Sequence, residues 1–144
     1  MSIHFNNIEH GYTIGQSAGY HFNPEADTVI SLDRNGQLSG GVIYNGYTGR
    51  SINVHTAVFD TGWCNRDMLW VVFHYPFIQL GCDSIFGQIP SSNPKAIDFD
   101  VKLGFNIIAR IDDVFPDGDL IVVRMKRDEC RWLSLQPREI QLRS

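Results

Sequence analysis

The chemistry this sequence offers is that of proton transfer and anion binding. His55 lies in an alternating run from Ser51 to Phe59, and an imidazole with a reference pKa near ~6.5 can take a proton at neutral pH. The plain alternative for a strand histidine is a structural or surface role. Asp100 is the second candidate, but a carboxylate near ~3.9 acts as a base at neutral pH only where burial raises it. Asn65 and Arg66 open a helical pattern; orphan amides and the dipole at such a terminus attract anions, to which Arg66 could add a charge-assisted bond. Metal and thiol chemistry are not indicated. His4, His10, His21 and His74 have no ligand spacing. Cys64, Cys82 and Cys130 form no C-x-x-C pair and have no Cys-His-Asn grammar around them, so Cys64 and Cys82 read as buried structural thiols.

The elements that must position these residues are marked most clearly at Ser92 to Phe105, SNPKAIDFDVKLGF. Asn93 is a preferred N-cap, Pro94 suits the first helical position, and Gly104 supplies the left-handed stop. Ala96, Phe99 and Leu103 form an apolar stripe that Ile97 and Val101 widen. Upstream, Thr28 to Leu32 and Leu38 to Tyr44 flank Asn35-Gly36, whose residues accept the positive φ of a type I′ turn. With Ser51 to Phe59 they predict a three-stranded antiparallel meander. Leu69, Val72, Phe73, Phe77 and Leu80 predict a helix from about Asn65 to Leu80, kinked or ended near Tyr75 by Pro76. A strand over Asp83 to Ile89 follows, then the capped helix, then a hairpin of Asn106 to Ile111 and Leu120 to Met125 turning at Asp117-Gly118. The order is β-β-β-α-β-α-β-β, an α/β fold with a mixed sheet, in one domain spanning residues 1 to 144. Met1 to Ala26 is expected to be irregular with at most one short helix, because Gly11, Gly15 and Gly19 interrupt any helical period.

The net charge of -4 argues against a general nucleic-acid binder and favours a cationic partner such as an amine. The basic tail from Arg124 onward could meet a phosphate-rich ligand or form a solvated edge. No charged-then-apolar leader is evident, and the apolar run from Leu69 to Leu80 is broken by His74, Pro76 and Gln79. A reducing cytoplasm without membrane attachment is the expected location.

The pattern Asn-x-x-Ala-x-x-Phe-x-x-x-Leu-Gly-Phe, from Asn93 to Phe105 between two strand-like runs, resembles the last helix of the GNAT superfamily of N-acetyltransferases. The similarity covers roughly Asp27 to Leu133. Small phage-encoded members also look like this chain at YPFIQLG and ECRWL. The resemblance implies transfer of an acetyl group from acetyl-coenzyme A to an amine, by direct attack on the thioester with strand amides stabilising the oxyanion and without a metal. The acceptor would be a protein N-terminus, a lysine or a small amine.

It further implies coenzyme contacts from Thr56, Val58, Cys64, Asn65, Arg66, Asn93 and Lys102, with Asn93 on the pantetheine arm. That role competes with capping for the same side-chain carbonyl. His55 would be the base at the strand end facing the thioester, with Asp100 its competitor.

Two departures stand out. TGWCNRDM lacks the glycines of the Gln/Arg-x-x-Gly-x-Gly/Ala phosphate loop, and Asp100 stands where many relatives carry a tyrosine that protonates the departing thiolate. Both feed the alternative of a catalytically inactive coenzyme-binding or protein-interaction module on the same fold. The N-terminal region is too short for the strand and two helices that usually build the acceptor pocket. An open site, or one completed by a second subunit in a homodimer, would follow.

Overall fold

The computed structural model describes residues 1–135, 137, 142 and 143. Its strands are β1 (Ser2–Phe5), β2 (Thr28–Arg34), β3 (Gln37–Asn45), β4 (Ser51–Val58), β5 (Ser84–Pro90), β6 (Asn106–Phe115), β7 (Gly118–Lys126) and the short β8 (Leu142–Arg143). The α-helices are α1 (Ile8–Ala18), α2 (Arg66–His74) and α3 (Pro94–Leu103). All these strands join one mixed sheet in the order β6-β7-β5-β4-β3-β2-β1-β8.

Local chemistry explains most of the element ends. Asn35 and Gly36 adopt φ of 55° and 80°, closing the β2–β3 hairpin as their types predict. β3 and β4 continue the antiparallel meander. Asn65 caps α2 by accepting from the Met68 amide at 2.9 Å. Pro76 then disrupts the helix, which passes into a π turn over Tyr75–Gln79, with the Leu80 amide reaching back to the Tyr75 carbonyl. In α3 the Asn93 side chain accepts from the Ala96 amide at 3.3 Å, and Gly104 ends the helix at φ 115°. Ala96, Ile97, Phe99 and Leu103 pack on the core, while Val101, expected to widen their stripe, is 43% exposed. On a helical wheel Val101 lies well away from the line of Ala96, Phe99 and Leu103, whereas Asp100 lies on it.

The N-terminal region departs from expectation. Where loops with at most one short helix are expected, it forms a strand, β1, antiparallel to β2, together with the eleven-residue helix α1. Gly11 and Gly15 do not break that helix; four residues apart, they share the face on which it closes against Phe22 and the Tyr20 carbonyl. A side chain at either place would collide, so glycine's usual helix penalty is offset by close packing. Gly19 is the left-handed C-cap, at φ 72°.

α1 packs on β2, β3 and β4. The opposite sheet face carries the larger core, in which Trp63, Met68, Phe73, Phe77, Ile85 and Val123 are buried. Trp132, in the segment after β7, packs there and donates from Nε1 to the Leu103 carbonyl at 2.8 Å. Cys82 is buried as expected and Cys130 is buried too, but Cys64, expected to be buried, is exposed, because the turn before α2 leaves it outside the core. Two of the unassigned histidines have structural partners: His4 Nε2 lies 2.7 Å from Asp33 Oδ1, and His10 Nδ1 lies 2.7 Å from Ser31 Oγ.

The parallel pairing of β4 with β5 organises the site. β4 and β5 pair in parallel only at Ser51–Asn53 with Ser84–Phe86 and then separate. Beyond β5, α3 leads to β6, while β7 fills the place between β5 and β6 as an antiparallel neighbour of both. The closed end of the V is fastened by charge. Arg127 donates to the Gly81 and Cys82 carbonyls at 2.9 and 2.8 Å, and Arg50 pairs with Asp83 at 2.8 Å.

Candidate functional site

The separation of β4 from β5 leaves a cleft of about 320 Å³, lined by both strand edges, the first turns of α3 and the C-terminal end of α1. Of the residues singled out from the sequence, His55, Thr56, Val58, Asn93 and Asp100 line it. Cys64, Asn65, Arg66 and Lys102 are not among its lining residues.

His55 and Asp100 approach the cleft from opposite faces of the sheet. Asn53, His55 and Ala57 point toward the α1 side, whereas Val54 and Thr56 point toward α2 and α3, as the period-2 pleat requires. The His55 ring stacks on Tyr20 with centroids 4.0 Å apart, and its Nε2 lies 2.9 Å from Asn45 Oδ1. Since an amide oxygen only accepts, Nε2 carries the proton and Nδ1 keeps its lone pair. Burial lowers the His55 pKa, partly opposed by the charge of Asp27, so the ring is neutral at pH 7. Tyr20 donates in turn to Asp27 at 2.8 Å, and burial with that bond pushes its pKa up to about 12.

Asp100 sits on the buried side of α3 over β5. A methyl group on Gly87 would come within 2.9 Å of Val123 Cγ2 and 3.3 Å of Asp100 Oδ2, so glycine at 87 lets both side chains close on the strand. Burial raises the Asp100 pKa to about 7. Near neutrality it is therefore present both as acid and as carboxylate, which is the condition for a proton donor or acceptor to turn over.

Asn93 stands exposed at the cleft edge; its carbonyl serves the helix cap, so a ligand would meet its amide nitrogen. Lys102 turns to Asp98, one turn earlier, at 2.9 Å. The segment expected to grip phosphate is organised differently from a glycine loop. Asp60 accepts from the Gly62 amide at 2.8 Å, Asn65 N bonds the Trp63 carbonyl at 2.9 Å, and the Asn65 side chain is committed to Met68 N and the Gly62 carbonyl. Those groups hold the turn together.

Sequence reasoning missed Gly87, Gln88 and Pro90 on the β5 wall, and Ser17 and Ala18 at the end of α1. The wall follows from where β4 and β5 part, which no local pattern states. The burial of Asp100 did have a sequence signal, in its place on the wheel beside Ala96 and Leu103. Among the described residues no group of three or more His, Cys, Asp or Glu is placed to hold a metal ion.

A mixed sheet whose central parallel pair opens into such a cleft, with a capped helix beside it, is the acetyltransferase architecture of the GNAT superfamily, and this chain has that fold. Solved structures bear the likeness out. The spermidine N-acetyltransferase SpeG of Vibrio cholerae, as its F149G mutant, superposes with a TM-score of 0.63 at 18% identity over 76% of this chain and 68% of that one. The Campylobacter jejuni N-acetyltransferase PseH gives 0.55 at 17% identity, over 71% and 69%. No protein-family model and no curated protein matches the sequence.

Proposed function

We propose that this protein transfers an acetyl group from acetyl-coenzyme A to an amine. The observation that carries the reading is the β4–β5 cleft with a neutral imidazole on one wall and a carboxyl titrating near neutrality on the other. The cleft suits the narrow acetyl–pantetheine end of the co-substrate: it is bordered by two strand edges whose amides are no longer paired to each other, and Asn93 offers a donor at its rim. Thr56 and Val58 line the β4 edge. Arg66, at the first position of α2, is the cation we assign to the coenzyme's phosphates, with Cys64 and Asn65 shaping the turn before it.

In this reading the amine nitrogen bonds to the thioester carbonyl carbon while the carbon–sulfur bond breaks. His55 Nδ1 accepts the proton the nitrogen sheds, directly or through a water, and its lowered pKa keeps that lone pair available at pH 7. Asp100 in its acid form is positioned to protonate the departing sulfur, in the role the resemblance gives to a tyrosine. The strand amides stabilise the oxyanion, and no step requires a metal. The reaction is compatible with a cytoplasmic protein; no helix among the described residues is long and apolar enough to cross a membrane.

The test is release of free thiol when acetyl-coenzyme A and a panel of primary amines are supplied together. Acetyl-coenzyme A is also expected to raise the melting temperature, since a ligand selective for the folded state stabilises it. A melting shift without thiol release would favour the inactive coenzyme-binding module. No shift at millimolar ligand would defeat both readings.

A further inference from the structure

Among the described residues, nothing packs over one sheet face of the strands on the β5 side of the cleft. On β5, β7 and β6 the rows Gln88–Val122–Ala109 and Pro90–Leu120–Ile111 share the face on which α1 covers β2 to β4, but α1 does not extend to them. Their side chains keep partial or full exposure, and Ile111 is 49% exposed. Gln88 and Pro90 belong at once to this face and to the wall of the cleft. The face therefore runs without interruption into the place where the amine must arrive.

Its charge is equally specific. The β6–β7 hairpin tip from Arg110 to Asp119 holds four aspartates, and its one cation, Arg110, is taken by Asp119 at 2.7 Å. Asp112, Asp113 and Asp117 stand exposed at the end of the apolar face nearest Pro90. An apolar strip ending in exposed carboxylates fits a segment that alternates apolar and cationic side chains.

We propose that the acceptor is a polypeptide, and that a basic, apolar segment of it docks on the β5–β7–β6 face and delivers a neighbouring amine into the cleft. This rests on the acetyl-transfer reading and adds to it the class of acceptor and the surface that selects it. A small polyamine would use the carboxylates but leave the apolar rows without purpose.

The experiment compares kcat/KM for three acceptors in the full chain: an octapeptide alternating leucine and lysine, a serine–glycine octapeptide bearing one lysine, and n-butylamine. The leucine–lysine peptide is expected to exceed the serine–glycine peptide at least tenfold. Ile111→Lys and Asp112→Lys, both at exposed positions of an edge strand, are each expected to lower its kcat/KM at least fivefold through KM. Acetyl-coenzyme A affinity and the butylamine rate should stay within twofold. Equal use of the two peptides, or equal losses for peptide and butylamine, overturns the docking surface while acetyl transfer stands. A change of oligomeric mass in Ile111→Lys, seen by sedimentation, overturns it in favour of a contact between copies of this chain. Failure to acetylate any of the three acceptors overturns the acetyl-transfer reading and the docking surface with it.

Discussion

The two halves of the sheet are built from similar residues and finished differently. β2 and β3 are covered on both faces and carry unbroken buried runs, Val29 to Leu32 and Ser39 to Tyr44. Among the described residues β5 and β7 are covered on one face only, so Ile85, Ile89, Ile121, Val123 and Met125 are buried while the residues between them, apart from Gly87, keep contact with solvent. A hydrophobic run thus reads as a strand in a sandwich, and an alternating one as a strand with a face to spare. The cleft lies where the two finishes meet, with its proposed base on the covered half and its proposed acid over the open half. Rigidity on one side and accessibility on the other is a suitable division for a reaction that must hold one substrate and admit another.

Truncation sharpens the comparison most. Ile43 is fully buried in the covered half, and Ile43→Ala should cost about 2–5 kcal/mol in urea unfolding. If it cost no more than a change on β6, the difference between the halves would have no energetic meaning.

Next comes Asp100→Asn, over the open half. A folded-state pKa near 7 against an unfolded value near 3.9 means that the wild type is at its best below about pH 4 and loses stability as pH rises through 7. Removing the titration should leave the variant more stable than wild type at pH 8, by about 2–4 kcal/mol before relaxation and hydration reduce the effect. Melting curves from pH 4 to 8 give the sign, and a constant difference across that range would contradict the burial.

His55→Ala, at the margin of the covered half, should lower kcat well over tenfold with little change in coenzyme affinity. It should also remove the acid limb of the pH–rate profile, which the lowered pKa of His55 places below about 6.5. If His55→Ala retains that limb while Asp100→Asn loses it, Asp100 is the base. Smallest of all should be Ile111→Ala on the open face, below about 1 kcal/mol, because an exposed edge residue leaves little cavity behind.

What could be read from the sequence was local. Asn35-Gly36, Asn93-Pro94 with Gly104, and Pro76 each dictate backbone geometry within a few residues, and the hairpin, the capped helix and the end of α2 follow from them. What depended on distant partners was lost. Gly11 and Gly15 looked like breaks because their use lies in what touches them, Phe22 and the Tyr20 carbonyl. β6 runs on from Ile111 to Phe115 through an irregular stretch in which Asp113 takes φ 59°, a conformation its sequence does not advertise. At the site, the helix carrying Asp100 was legible, but the stacking of His55 on Tyr20 and the turning away of Lys102 were not.

The charged fastening at the closed end of the V gives the cleft a mechanical character. Arg127 and Arg50 converge on the segment from Gly81 to Asp83, immediately before β5, so that end behaves as a fulcrum. From Phe86 to Pro90 the β5 lever arm is roughly 13 Å at the usual rise of a strand, and a turn of about 7° displaces its far end by roughly 1.5 Å. That is about the length of a carbon–carbon bond, gained while the covered half stays still.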